Sequence, residues 1–311
     1  MAENGDIRWQ LAERFEFIEW RAYWAGRLNR KDLEEEFDIS TPQASVDLRN
    51  YQEAAPGNIE YDATEKSYVA TPHFNPQFMK LSPERYLLQL QAMRAEVIRK
   101  SDTWFDKVPS FDVAPTIVRG PQAFALRAII RAIEMRGAMR IYYQSLTSAH
   151  MRTICPHALA HDGYRWHVRA LSTERNEFRD YVLGRILSIE EPTECRADPS
   201  DDIEWKTEIT LRIIAHPDLD NQQKAAIERD YRIEKGELAV TMRLALAFYF
   251  IKRYNLDLRK NEIPPERAQL FLKNLDEFDV ALKAARDQSK LRITGRGYAV
   301  AQSKAPNEQP A

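Results

Sequence analysis

Cysteine is scarce here: Cys155 and Cys195 are the only two in 311 residues, which excludes a disulfide-built scaffold and a cysteine-rich zinc site. Glycine is scarce too, at ten residues. No glycine-rich phosphate loop, paired-histidine zincin motif or nucleophile elbow occurs. The longest apolar run, Leu244 to Ile251, is eight residues between Arg243 and Lys252, too short to cross a bilayer. Met1 to Trp9 carry Glu3 and Asp6 ahead of any apolar run, unlike a secretory signal. We therefore expect a cytoplasmic protein, not an enzyme, with no cofactor and no resident metal.

One further absence is local. Residues 121–191 contain ten arginines and no lysine, together with four of the six histidines. Arginine's planar fork matches phosphate and carboxylate, so this bias points to anion recognition, or else to lineage bias in codon use. Residues 1–72 go the other way, with 8 basic and 15 acidic groups, net −7. The whole chain carries 45 basic and 47 acidic side chains, and its 44% apolar content allows a substantial core.

The periodicity predicts an α+β protein. Leu11, Phe15, Ile18 and Ala22 recur at helical spacing from Ile7 to Trp24, and Gly26 ends the run. A short helix from Arg30 to Phe37 follows. Ser40 and Gln43 have the capping-box spacing, with Pro42 in the first turn, so a third helix starts there and runs to Ala54. Its buried face is set by Ala44, Val46 or Asp47, Leu48 and Tyr51. Ile59-Glu60-Tyr61 and Ser67-Tyr68-Val69 then read as a hairpin. Helix, helix, turn, helix, hairpin is the order of a winged helix-turn-helix over 1–72.

Residues 73–120 form a connector with a helix from Glu84 to Lys100. A helix from Gln122 to Arg136, stopped by Gly137, precedes four strands: Arg140 to Gln144, Arg152 to Cys155, Tyr164 to Leu171 and Phe178 to Ile189. Short strands at this spacing suggest a small barrel or a strongly bent sheet. Residues 192–294 alternate strand and helix, with helices at Asp218 to Tyr231, Ala245 to Tyr254 and Pro265 to Lys283. Residues 295–311 read as a disordered tail.

The third helix supplies candidate DNA contacts: Thr41, Gln43, Ala44, Ser45, Asp47, Arg49 and Asn50, with Lys66 in the wing. Gln43 and Asn50 suit adenine edges, Arg49 guanine or phosphate, and Lys66 the backbone. The net charge of −7 is the wrong sign for a DNA footprint, unless Glu34 to Glu36 and Glu13, Glu16 and Glu19 face away. A winged helix used for protein contacts is the alternative. Cys155, His157 and His161 form a metal-like cluster, yet on an extended chain the two histidines lie about 13 Å apart.

Alternation in the third strand puts Arg165, His167 and Arg169 on one face and Trp166, Val168 and Ala170 on the other, with Trp166 in the barrel core. Tyr143, Ser145, Arg152, His167, Arg169, Arg179 and Arg185 are the candidate ligand residues. Such a set suits a nucleotide or oligonucleotide, with arginines on phosphate and Tyr143 stacking a base. The alternative is surface pairing with Asp162, Glu174, Glu177 and Asp180.

Arg140-Ile141-Tyr142-Tyr143-Gln144-Ser145, Gly163-Tyr164-Arg165-Trp166-His167-Val168-Arg169-Ala170 and Phe178 to Ile186 together resemble a WYL domain. The name-giving Trp-Tyr-Leu triplet stands here as Trp166-His167-Val168. With the winged helix ahead of it, the chain resembles regulators that accompany bacterial anti-phage systems of the BREX and CBASS types. The resemblance implies a Sm-like β-barrel WYL domain over 121–191 that senses a ligand, and a C-terminal α/β extension or dimerisation domain over 192–294. It also implies a homodimeric repressor on a double-stranded, inverted-repeat operator of a defence operon, released by an anionic nucleotide or nucleic-acid ligand, and working at the nucleoid without a membrane. A WYL-type activator, or a nucleic-acid-binding subunit of a processing enzyme, would use the same parts.

Overall fold

The structure, a computed structural model, describes residues 3–115, 117, 120–190, 193–194, 197–258 and 262–296. Cys195 and the tail beyond Arg296 lie outside the described residues. The chain divides into two compact units, Met1–Thr116 and Ile117–Ala311.

In the first unit, α1 (Glu3–Trp20) continues into a π-helical turn, Arg21–Ala25, which Gly26 ends at φ +75°. β1 (Arg27–Leu28) and α2 (Arg30–Phe37) follow. Asn29 caps α2 by accepting from the Lys31 and Asp32 N–H groups, while the Asp32 carboxylate accepts the Asn29 N–H at 2.6 Å. That reciprocal pair satisfies donors a helix start otherwise leaves unmet. α3 (Thr41–Ala54) is capped by the Ser40 hydroxyl on the Gln43 N–H. The Gln43 side chain does not close the expected box; its amide donates to Asp47 instead, at 2.9 Å. β2 (Ile59–Asp62) and β3 (Ser67–Ala70) form the wing, and the sheet order is β1-β3-β2.

Phe15, Ile18, Leu28, Leu33, Ala44, Leu48, Tyr51 and Ile59 form the core of this unit. α4 (Pro83–Arg94) is shorter than its periodicity suggests. Glu96 turns left-handed at φ +57°, and the Val97 N–H closes back on the Ala92 carbonyl. That stop resembles a glycine-built C-cap, but no glycine announces it.

The second unit begins with α5 (Ala123–Met135), which Arg136 ends at φ +52°; Gly137 is the first residue of the next strand, not the stop. The strands are β4 (Gly137–Gln144), β5 (Ala149–His161), β6 (Trp166–Ser172), β7 (Glu177–Val182), β8 (Ile186–Ile189) and β9 (Thr193–Glu194). They form one antiparallel sheet in the order β7-β6-β5-β4-β8, with β9 also on β4. The expected fourth strand is thus two, split by the short helical turn Leu183–Arg185. β5 runs well past Cys155 because its register shifts between Pro156 and Ala158. Proline has no N–H for the ladder, and a bulge at that point absorbs it. Ala125, Ile129 and Ala132 of α5 pack on Met139, Ile141, Ile154, Val168 and Ala170.

The remaining elements are α6 (Ile203–Lys206), β10 (Glu208–Ala215), α7 (Asn221–Asp230), β11 (Leu238–Arg243), α8 (Leu244–Arg253), β12 (Leu270–Leu272) and α9 (Leu275–Gly295). Their sheet order is β11-β10-β12. The expected helix from Pro265 is therefore replaced by β12, with α9 starting only at Leu275. A short run such as Leu270-Phe271-Leu272 has no period long enough to separate strand from helix. Among the described residues, no helix is long and apolar enough to cross a membrane.

Candidate functional site

α3 turns two kinds of side chain in two directions. Ala44, Asp47, Leu48 and Tyr51 face inward, while Thr41, Gln43 and Arg49 are exposed and Ser45, Val46 and Asn50 are half-buried. Ala44 has no exposed surface and packs in the core, so it contacts no DNA. Asp47 is buried as well, 2.7 Å from Arg14 Nε. A helix interior has one inward stripe, and Asp47, not Val46, completes it. Ser45 donates to the Thr41 carbonyl at 2.8 Å, and Arg30 Nη1 lies 3.5 Å from its hydroxyl. Arg30, the first residue of α2, is thereby a basic side chain beside the exposed face, and no motif in the sequence marks it. Lys66 is exposed at the wing turn, with φ +51°.

Two of the acidic residues of this unit, Glu19 and Asp47, are spent internally. Glu19 is fully buried, not on a solvated face: it accepts the Tyr51 hydroxyl and the backbone N–H groups of Gln77, Phe78 and Met79. Those bonds tie the connector after the wing to α1. Burial first, and the Glu19 charge beside it, push the Tyr51 hydroxyl well above its ordinary pKa. Asp32 pairs with Arg21, Glu16 with Arg85, and Glu36 accepts the Trp104 indole N–H. The other described acids of the segment are exposed or half-buried, so its surface stays acidic.

On the second unit, the candidate ligand residues do not converge. Directly opposed residues in an antiparallel pair share a face. Arg152 opposes Ile141, and Arg179 opposes Ala170. With Tyr143 they occupy the face of the sheet that carries its core. The Tyr143 ring is itself in that core, and its hydroxyl accepts the Val182 N–H at 3.1 Å. Ser145 holds the β4–β5 turn by accepting the Ser148 N–H at 2.9 Å. Arg179 sits near Glu177, 3.1 Å away and half-exposed. Arg185 lines a cavity of about 340 Å³ with Arg165 and Val182.

His167 and Arg169 point through the opposite face into a buried ion network. Arg169 Nε and Nη2 donate to Asp202 at 2.8 and 2.9 Å, Nη2 to Glu204 at 3.2 Å, and Nη1 to Asp180 at 3.3 Å. His157 lies 2.9 Å from Asp202, His167 2.9 Å from Asp162, and Tyr249 donates to Asp180 at 3.0 Å. Burial would raise the Asp202 carboxyl, but hydrogen bonds from Arg169 and His157 outweigh it and hold it at about 2. Asp162 is held at about 2 in the same way, burial being overcome by His167 and the N–H groups of Tyr164 and Arg165. Arg169 is pushed above its already high value by these carboxylates, against burial. The network ties β6 and β7 to α6 and α8, so Arg169 is a structural tie and not an open phosphate fork.

Trp166 is 48% exposed beside His161 rather than in the sheet's core. His157 is held by Asp202, and among the described residues Cys155, His157 and His161 do not come together as a metal-binding cluster. Arg152 alone keeps the character expected of a sensor residue. It is 8% exposed, its guanidinium lies 5.5 Å from the Tyr143 ring centroid, and its Nε is buried without a partner. Its Nη2 donates to the Ser148 hydroxyl at 3.4 Å. Among the described residues it has no ion-pair partner.

Three family models match the chain in order. Residues 10–92 match the BrxR transcriptional regulator winged helix-turn-helix domain, 125–191 the WYL domain, and 208–278 the BrxR transcriptional regulator C-terminal dimerization domain. A DNA-binding transcriptional repressor CapW of Escherichia coli is 38% identical over 280 residues, covering 89% of this chain and 93% of its own. The chain belongs to the BrxR/CapW family of WYL-domain transcriptional regulators. CapW of Stenotrophomonas maltophilia is 34% identical, covering 91% of this chain and 96% of its own. CapW of Pseudomonas aeruginosa is 37% identical, with 87% and 91% covered. The BrxR/CapW family is one of regulators and not of enzymes, and its three matched parts fall in the order expected from the sequence.

Proposed function

We propose that this chain is a dimeric, sequence-specific DNA-binding transcriptional repressor of a phage-defence operon, acting in the cytoplasm at the nucleoid. The observation that carries this reading is α3. A capped helix presents Thr41, Gln43 and Arg49 outward beside Arg30, in a chain 38% identical to a protein named as a DNA-binding transcriptional repressor. The positions we propose for DNA are Thr41, Gln43, Ser45, Arg49, Asn50 and Lys66. The parts would be a winged helix at 1–72, a connector at 73–120, a WYL sensor at 121–191 and a dimerising domain at 192–294. Leu270 belongs to the core of that last domain, whereas Phe248 is 44% exposed and available for pairing.

The same reading makes the WYL sheet a sensor for an anionic nucleotide or nucleic-acid fragment that relieves repression. Arg152, with Tyr143 close by, is the group that supports it, and Ser145, Arg179 and Arg185 are proposed with it. A ligand shifts the regulator only by the difference between its affinities for the two states. The test is binding to duplex from upstream of the protein's own gene, against scrambled duplex and single-stranded RNA, over a range of salt. Tighter binding to the upstream duplex, weakening linearly in log salt, is the expected result. Equal affinity for all three nucleic acids would remove the repressor reading.

A further inference from the structure

The first unit holds a cavity of about 350 Å³ whose walls are the rings of Trp20, Trp24, Tyr86 and Phe105, with Arg27 and Lys107 also on its lining. Tyr86 is the hub of the wall: its ring centroid lies 4.6 Å from Trp24 and 4.5 Å from Phe105. One side of the cavity is the π-helical turn Arg21–Ala25. Such turns are rare and recur at functional sites.

Two observations give the cavity a chemical preference. The Trp24 Nε1 and the Arg21 Nε are both buried, and neither has a hydrogen-bond partner among the described residues. Arg21 spends Nη2 on Asp32 at 2.7 Å and Asp106 at 3.2 Å, which leaves Nε over. A buried donor left unmet is costly, and an arriving acceptor recovers that cost. The lining also offers one cation to spare. Arg21 is taken by Asp32 and Asp106 and Arg27 by Glu65 at 3.5 Å, whereas the exposed Lys107 has no carboxylate partner among the described residues.

We propose that this cavity binds a small planar aromatic anion. Its ring lies against Trp24 and Tyr86, an acceptor atom takes the Trp24 and Arg21 donors, and its anionic group faces Lys107 and Arg27. A mononucleotide and an aromatic carboxylate share that chemistry. The cavity is lined only by residues of the first unit, and Arg152 is not among them. It is also built into the frame of the winged helix: the Arg21 partner Asp32 caps α2, and Gly26 leads from the turn directly into β1 of the wing sheet.

The test titrates the full-length protein with AMP and, separately, with salicylate, following tryptophan fluorescence and heat, with inorganic phosphate as the ringless control. One of the two aromatic anions should bind saturably and phosphate should not. Trp24→Phe keeps a ring and removes the N–H, and should weaken binding about tenfold, a change of about 1.4 kcal/mol. Lys107→Gln, at an exposed position that leaves the fold intact, should weaken it as well, and Arg152→Gln should leave it unchanged. No saturable binding of either anion at millimolar concentration, or phosphate binding as well as they do, overturns the proposal. Loss in Arg152→Gln with none in Trp24→Phe also overturns it, placing the ligand on the sheet and leaving the sensor reading intact.

Discussion

Arg169 and Arg179 stand on adjacent strands, Arg179 opposite the neighbour of Arg169, yet on opposite faces of the sheet their surroundings give them different work. Arg169 is 3% exposed among Asp202, Asp180 and Glu204, and removing one partner of a buried ion network costs about 3–5 kcal/mol because the remaining charges stay buried. Arg179 forms a half-exposed pair with Glu177, worth about 0–1 kcal/mol. Urea denaturation should therefore show Arg169→Ala strongly destabilised and Arg179→Ala nearly unchanged; equal stabilities would contradict the network. A repression defect in Arg169→Ala then reports folding rather than sensing. The network also sets an acid limit. Asp202 is lowered from 3.8 to about 2 in the folded protein, so its contribution is complete above the unfolded value and is lost as pH falls through about 2. That contribution is about 2 kcal/mol. Stability measured from pH 5 down to pH 2 should fall less steeply in Asp202→Asn than in the parent, and identical slopes would refute the assignment.

At the scale of elements, α3 divides its residues between core and solvent by helical period alone. Gln43→Ala and Arg49→Ala should each cost about 1–3 kcal/mol at the specific site and less on random duplex, while Lys66→Ala weakens both alike. Uniform losses on both duplexes for all three variants would rule out base reading by this helix. Ala44→Leu should instead act on the fold, because adding atoms to a filled core strains it by about 1–3 kcal/mol. The bent strand β5 is the counterpart in the second unit. Its bulge at Pro156 changes the side-chain alternation midway, and the strand runs on to His161 where the sequence pattern ended it at Cys155.

For the whole molecule, affinity must come from number. A single winged helix with few free cations makes few phosphate contacts, so a two-fold dimer reading two half-sites is the expected form. Light scattering should report a dimer at micromolar concentration. Half-sites should be spaced by about 10 base pairs or a multiple of it. A duplex carrying one half-site should bind far more weakly than the inverted repeat, and equal affinity would exclude the dimeric reading.

Local chemistry in the sequence settled a good deal. The Ser40 cap on the Gln43 N–H, the Gly26 stop and the period of α3 are short-range effects, so α3 and the wing are legible residue by residue, as are the WYL motifs. What it could not settle is where a charged side chain finds its partner. Asp202 lies 33 positions from Arg169, and Glu19 lies some sixty from the backbone donors of Phe78 and Met79. Alternation tells which face a strand residue takes, but only packing tells what lies beyond that face. The tertiary structure thus turned a supposed row of phosphate-binding arginines into one buried tie at Arg169 and one unpaired guanidinium at Arg152. It also moved Trp166 to the surface and Asp47 and Glu19 to the interior, because a buried charge is tolerated only where folding brings its hydrogen-bond partners to it.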